Sequence, residues 1–292
     1  MVVGQTLFPV WFFQGMEKMK YITFLNIVAK TIFTISIFVF VRKISDYLYV
    51  PLLNSLGFIT AGIIAWIIVF CDFGINFKIP TLESLKYHLK EGWHVFISQI
   101  FITGYTNSRV FAIGLFAPNN TIVGYYTIAE KLMNIVQTFP LASVLQTLYP
   151  RLSKIYEENK IKAKIIADKL QFYTTITYIV VCLVIWVLAP KIVKIITGIE
   201  YFEVIFAFRL LLVAVLFINA NAFRVQFLLV SDNANLFAKI HILMGMIGSV
   251  LVFLFSYLFS YVGTTVSIIL IEFIVLILTV KENKKIWKSL RT

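Results

Sequence analysis

The sequence predicts an all-α, polytopic membrane protein, on three observations. Eight apolar stretches, each long enough to cross a bilayer, run through the chain with short polar connections. Hydrophobic residues make up 60% of the 292 residues and charged residues 14%, against roughly half and a quarter in soluble domains. None of the stretches alternates apolar and polar residues as a membrane-barrel strand must, and an open sheet edge has no solvent for its backbone inside lipid. About 20 residues of helix cross a hydrocarbon core about 30 Å thick. About eight transmembrane helices are therefore expected, at 22–41, 51–71, 95–116, 122–148, 172–189, 204–230, 240–259 and 262–280.

Taken in order, the spans differ in their polar content. The first carries Thr23, Asn26, Lys30 and Thr34 every three or four residues, hence on one helical face. A short turn with Arg42 and Lys43 leads into the second span, which carries no charged residue. The longest connection, 73–94, holds Leu82, Leu85, Leu89 and Trp93 at helical spacing among charged residues. That pattern predicts an amphipathic helix at the membrane surface, anchored by its tryptophan. In the third span Ser98, Gln99, Thr103, Thr106, Asn107 and Arg109 form a broad polar sector. The fourth adds Thr127, Glu130, Lys131, Asn134, Gln137 and Thr138. A basic segment, 151–169, then separates this pair from the last four spans. The sixth holds Arg209, with Asn221 and Arg224 at i, i+3, and the eighth holds Glu272. Residues 282–292 read as a basic tail.

The net charge of +12 invites a nucleic-acid reading, but its distribution excludes one. With the N-terminus inside, seventeen lysines and arginines fall in cytoplasmic segments and four, Arg42, Lys43, Lys191 and Lys194, on the opposite side. This is the positive-inside pattern with both termini in the cytoplasm, as in a multi-pass protein of the cytoplasmic (inner) membrane. Cys71 and Cys182 lie in or beside spans and offer neither a disulfide framework nor a metal-type spacing. No cofactor is expected. A catalytic role is not expected either: nucleophile-elbow and phosphate-loop motifs are missing, and His88, His94 and His241 are far apart in sequence.

A charged side chain at mid-bilayer costs at least about 2.5–3.5 kcal/mol, so the intramembrane charges are expected to face one another or water. Arg109, Lys131, Arg224 and Lys30, with Asn107 and Asn134 nearby, predict a hydrated, cationic cavity. Arginine offers a planar donor fork and lysine a compact charge, both suited to an anionic ligand such as phosphate. Packing pairs, such as Glu272 with an arginine, are the alternative use of the same residues.

Three stretches carry a family resemblance. Pro9-Val10-Trp11-Phe12-Phe13-Gln14-Gly15-Met16-Glu17 resembles the P-x-W-x-x-Q-G-x-E signature of bacterial polysaccharide (O-antigen) flippases. These belong to the multidrug/oligosaccharidyl-lipid/polysaccharide (MOP) exporter superfamily. Val123-Gly124-Tyr125-Tyr126-Thr127-Ile128-Ala129-Glu130-Lys131 is similar to the family's V-G-x-Y-x-x-A-E-K segment, and Tyr149-Pro150-Arg151-Leu152-Ser153 to its Y-P-x-L-S stretch. Trp11, Gln14, Gly15, Glu17, Gly124 and Tyr126 are the motif positions.

The resemblance implies a two-lobed, twelve-helix fold. It places the end of helix four with helices five and six in residues 1–72, a connector in 73–94, and a six-helix C-terminal lobe in 95–281. The chain would then lack four helices and insert without flipping on its own. The implied activity is transfer of undecaprenyl-diphosphate-linked oligosaccharide, an O-antigen or capsule repeat unit, between leaflets by alternating access. Its implied partners are that lipid-linked substrate, membrane lipids and other glycan-assembly membrane proteins. Arg109, Lys131 and Arg224 would neutralise the diphosphate, and Glu130 or Glu272 would couple to protons or Na⁺. Rival readings are an ion-coupled drug exporter of the same superfamily, a membrane glycan-assembly enzyme such as a polymerase, and a non-functional shortened flippase.

Overall fold

The computed structural model describes residues 2–43, 46, 48–75, 80–139, 141–231 and 233–290. Among them every element is a helix, and five helices are long and apolar enough to cross a membrane. The chain divides into two compact units, Met1–Leu82 and Glu83–Thr292.

In the first unit two short helices, α1 (Val2–Leu7) and α2 (Val10–Gly15), precede the long α3 (Met19–Phe40) and α4 (Tyr49–Phe73). Small residues set the packing. Gly57 of α4 lies so close to α3 that a Cβ there would stand 2.5 Å from the Ala29 carbonyl oxygen, and Gly62 abuts Leu7 of α1. Gly57, Ala61 and Ala65 recur every four residues on the buried face, the small-residue stripe that lets membrane helices approach. Between α2 and α3 the Lys18 N–H donates to the Phe13 carbonyl and the Glu17 N–H to that of Gln14. This paired cap closes α2 around Glu17, which takes a left-handed φ of 57° where glycine is the usual residue.

The second unit opens with α5 (Leu82–Phe116), then α6 (Asn120–Thr138), α7 (Leu141–Glu158), α8 (Lys160–Thr197), α9 (Phe202–Asn219), α10 (Ala222–Val230) and α11 (Ala234–Ser289). Asn119 caps α6 by accepting from the Ile122 N–H at 3.1 Å, and Asn159 caps α8 from Lys162 N–H at 2.9 Å. Gly198, at φ 80°, ends α8. The main core lies between α6, α8 and α9 and is filled by Tyr126, Phe208, Leu211, Leu212 and Phe223. The 56-residue α11 folds back at Ser260 (φ 53°, ψ −138°): Gly248 of the first arm packs against Ile271 of the second. It thus contains both of the last two expected spans.

Several expected boundaries move. The amphipathic stretch 81–93 does not stand apart from the third span: α5 runs unbroken through position 94, because nothing between Leu82 and Phe116 removes a backbone donor. The fourth span ends at Thr138 rather than 148. The sequence carries a proline at 140, and Phe139 before it is extended (ψ 124°), as a residue preceding proline must be. The basic segment 151–169 is helical, shared by α7 and α8 with the Asn159 cap between them. Residues 282–289, expected as a tail, continue α11; Asn283 is buried, and Ile286 and Leu290 pack on Leu152, Tyr156 and Phe227. Lys78 and Arg291 lie outside the described residues.

Arg209 finds a structural use. Pro190 sits inside α8 and has no N–H to donate to the carbonyl of Trp186, one turn earlier. Arg209 of α9 supplies the missing donor, its Nε lying 3.1 Å from the Trp186 oxygen with the guanidinium over the indole ring. Arg209→Leu should therefore destabilise the protein by about 1–3 kcal/mol, the cost of a backbone carbonyl left without a donor where lipid offers none. Adding Pro190→Ala, which restores the helical donor, should recover most of that loss in detergent thermal melts. An equal loss in the single and double variants would refute this pairing.

Candidate functional site

The site is built around a break in a membrane-spanning segment. Between α9 and α10 the helix is interrupted at Ala220 and Asn221, within one apolar stretch, Phe202–Val230. Lipid cannot satisfy the backbone groups such a break exposes, so protein or a cavity must. Gln171 of α8, almost fully buried, does this in both directions. Its Nε2 donates to the Asn219 carbonyl at 2.8 Å, and its Oε1 accepts from the Phe223 N–H at 2.8 Å. The Arg224 guanidinium donates back to the Ala220 carbonyl. From the other side Thr279 of α11 donates its hydroxyl hydrogen to Asn221 Oδ1, and Asn283 Nδ2 reaches the Arg224 carbonyl at 3.4 Å. The break is held between α8 and the second arm of α11.

Beside it lies a cavity of about 310 Å³, lined on its polar side by Gln137, Thr138, Asn219, Asn221, Gln226, His241 and Glu272. Asn219 Oδ1 and Gln226 Oε1 are buried and have no hydrogen-bond partner among the described residues. Two acceptors and a carboxylate around one space make it suited to protonated or cationic occupants. They also make it roomy and polar enough for water.

Glu272 connects this cavity to a buried charge chain. Tyr105 of α5 donates to Glu272 Oε1 at 2.8 Å. The Arg109 guanidinium sits 5.2 Å above the Tyr105 ring, and its Nη1 lies 3.8 Å from Glu130 Oε1 of α6. Arg109 Nε has no hydrogen-bond partner among the described residues, and neither has the hydroxyl of Tyr126, one turn before Glu130. Arg109 is only 4% exposed. One guanidinium is paired with Glu130 and linked through Tyr105 to Glu272 across three helices, an arrangement that is costly to bury unless it stays nearly neutral.

Within the second unit, the expected cavity cations separate into three environments. Arg109 is in the charge chain, Arg224 is turned to the helix break, and Lys131 is exposed on α6 beside the exposed Asn134. Asn107 lines a separate open groove of about 410 Å³ with Gln99 and Thr103. Lys30 is exposed on α3 in the first unit. Of the motif positions, Trp11, Gly15 and Glu17 are exposed, Gln14 is partly buried and Tyr126 is fully buried. A Cβ at Gly15 or Gly124 would meet nothing within 4 Å, so neither glycine is required by space inside its own unit. The residues that sequence reasoning missed are Gln171, Thr279, Asn283 and His241. An i, i+4 pair such as Thr279 and Asn283, or a lone Gln171 at the start of an apolar run, is a signal too small to separate from chance.

A family described as "Polysaccharide biosynthesis protein" matches residues 1–156. The chain is 29% identical over 287 residues to an Escherichia coli (strain K12) protein described as an O-antigen transporter, covering 97% of this chain and 69% of that one. It is 31% identical over 166 residues to a Shigella dysenteriae protein of the same description, covering 56% and 41% respectively. Among solved structures it is similar to a point mutant of a MATE protein (TM-score 0.74, 12% identity, 92% of this chain and 62% of that one). It is also similar to an outward-facing multidrug resistance MATE transporter of the MOP superfamily (TM-score 0.73, 13% identity, 92% and 62%). A Vibrio cholerae MATE transporter matches with TM-score 0.72 at 14% identity, over 95% and 64%. The chain thus spans less than two thirds of the length of these MATE structures. With the family match over more than half its length, the chain belongs to the polysaccharide biosynthesis protein family, and its multi-pass helical fold is like that of the MATE structures.

Proposed function

We propose that this chain acts in a flippase that carries undecaprenyl-diphosphate-linked oligosaccharide, an O-antigen or capsule repeat unit, from the cytoplasmic to the outer leaflet of the inner membrane. The observation that carries a transport role is the break between α9 and α10, which opens beside a polar cavity reached by Glu272. Discontinuous helices beside a cavity are how transporters build midplane sites. The substrate class is supported by the O-antigen descriptions of the two bacterial relatives.

In this reading the exposed α6 face with Lys131 and Asn134 and the groove at Asn107, all within the second unit, contact the sugar-diphosphate headgroup. Lysine supplies point charge and the amides hydrogen bonds. Arg224, held at the Ala220 carbonyl, contributes to the positive potential from a fixed structural position. The Glu130–Arg109–Tyr105–Glu272 chain is the coupling element: loading one carboxylate with a proton or Na⁺ frees Arg109 to shift toward the other. Exchange of that ion biases two packings of the bundle, which is what alternating access requires. An ion-coupled exporter of organic cations is the second reading, favoured by the acceptor-rich cavity and the multidrug-transporter fold.

Three outcomes test this. Replacing Lys131 or Asn134 by Ala should cut surface glycan at least fivefold in a strain that depends on the intact transporter, with membrane abundance near normal, because both side chains are exposed. Loss of abundance in step with glycan would reduce them to packing residues. Arg109→Ala should lower abundance by leaving Glu130 buried without its partner, a penalty of about 3–5 kcal/mol; Arg109→Ala with Glu130→Gln should restore abundance but not glycan. Glycan restored as well would remove the pair from coupling. For orientation, single cysteines at Asn120 and Glu158, in a background without Cys71 and Cys182, should respond differently to an impermeant thiol reagent. Position 120 should label in intact cells and position 158 only after permeabilisation, and the reverse would invert the topology.

A further inference from the structure

A second pocket lies at the opposite end of α10 from the helix break, within the second unit. It measures about 710 Å³ and is bounded by the first turns of α5, the middle of α7, the end of α10 and the start of α11. Tyr87, Glu91 and His94 of α5 face Tyr149 of α7 and Asn235 of α11 across it, with Lys90 on the same wall. Tyr149 belongs to the Y-P-x-L-S stretch, for which the transport cavity provides no role. The Tyr87 hydroxyl donates to Glu91 Oε1 at 3.0 Å, which fixes the carboxylate and leaves its other oxygen to accept from a ligand.

The lining discriminates between ligands. Lys90 and Glu91 offset each other, so the pocket has no net field to concentrate a diphosphate or an organic cation. It offers instead two phenol rings from different helices, one oriented carboxylate, one amide and one imidazole. A neutral sugar needs that combination. Its apolar C–H face lies on an aromatic ring, while the free Glu91 oxygen and the Asn235 amide each take a hydroxyl, with specificity set by a few placed polar groups. The volume lies within the range of about 300–1,000 Å³ for small-ligand sites and admits a short oligosaccharide rather than a single ring.

We infer that this pocket binds neutral or N-acetylated sugar residues of an oligosaccharide, separately from the site that takes the charged headgroup. Because binding is read directly, its failure is distinguishable from failure of the flippase reading, on which it does not depend.

The probe is N,N′-diacetylchitotriose with the detergent-purified full chain, followed by saturation-transfer NMR, with inorganic pyrophosphate as competitor. Saturation transfer to the sugar ring protons is expected, unchanged by a tenfold excess of pyrophosphate. It should fall at least fivefold in Glu91→Gln and in Tyr87→Phe, two exposed substitutions that spare packing, and in Tyr149→Leu. No transfer with the unaltered protein, or transfer that survives all three substitutions, would overturn the proposal. Displacement by pyrophosphate would do so too, by making this a phosphate pocket.

Discussion

Backbone polar groups have no solvent inside a bilayer, and the interior of this bundle is organised around one place where the helix gives up its own hydrogen bonds. At Ala220–Asn221 the chain between α9 and α10 must be satisfied from outside itself. Gln171 and Arg224 bond the backbone on either side of that interruption, Thr279 holds the Asn221 side chain, and Asn283 reaches the Arg224 carbonyl. Gln171 is the most economical, because one amide group serves the end of α9 and the start of α10 together. The same logic recurs at Pro190, where Arg209 serves a carbonyl that proline leaves without a donor. Several polar residues in these spans are therefore the requirement of irregular backbone, and the cavity is the space that irregular backbone opens.

That division clarifies which charges are available for function. Arg109 and Glu130 neutralise each other within a chain that Tyr105 extends to Glu272, so they are poorly placed to bind a bulky anion. Lys131 and Asn134, one and four residues beyond Glu130, are exposed on the same helix. The single segment from Gly124 to Asn134 thus places the ion-paired Glu130 and the exposed Lys131 one residue apart, and displacement of α6 would carry both.

The helical, multi-pass class was legible because length and apolarity decide it. Helix existence followed from composition, whereas helix ends followed from local chemistry that periodicity does not register. The proline at 140 shortened one span, and the absence of any such residue fused the amphipathic stretch to α5. The fold-back at Ser260 joined two spans into one continuous hairpin. Polar faces were legible too, but not their partners. Arg109, Arg224 and Lys131 look alike in sequence, yet one meets a carboxylate, one a carbonyl and one the surface. Only three-dimensional proximity distinguishes them, and Gln171, 48 residues from Asn219, carries no sequence mark of its task.

The central claim is that Gln171 holds the α9–α10 break closed. Amide hydrogen exchange across residues 218–226 tests it most directly, because the Phe223 N–H is donated to Gln171 Oε1. In Gln171→Leu, which preserves bulk and removes both bonds, exchange there should quicken at least tenfold, equivalent to about 1.4 kcal/mol and within the range of about 1–3 kcal/mol for a buried group left unpaired. Peptides from the middle of α8 should keep their protection. Unchanged exchange across 218–226 would contradict the account, since the break would then be held by something other than the side chain that bridges it.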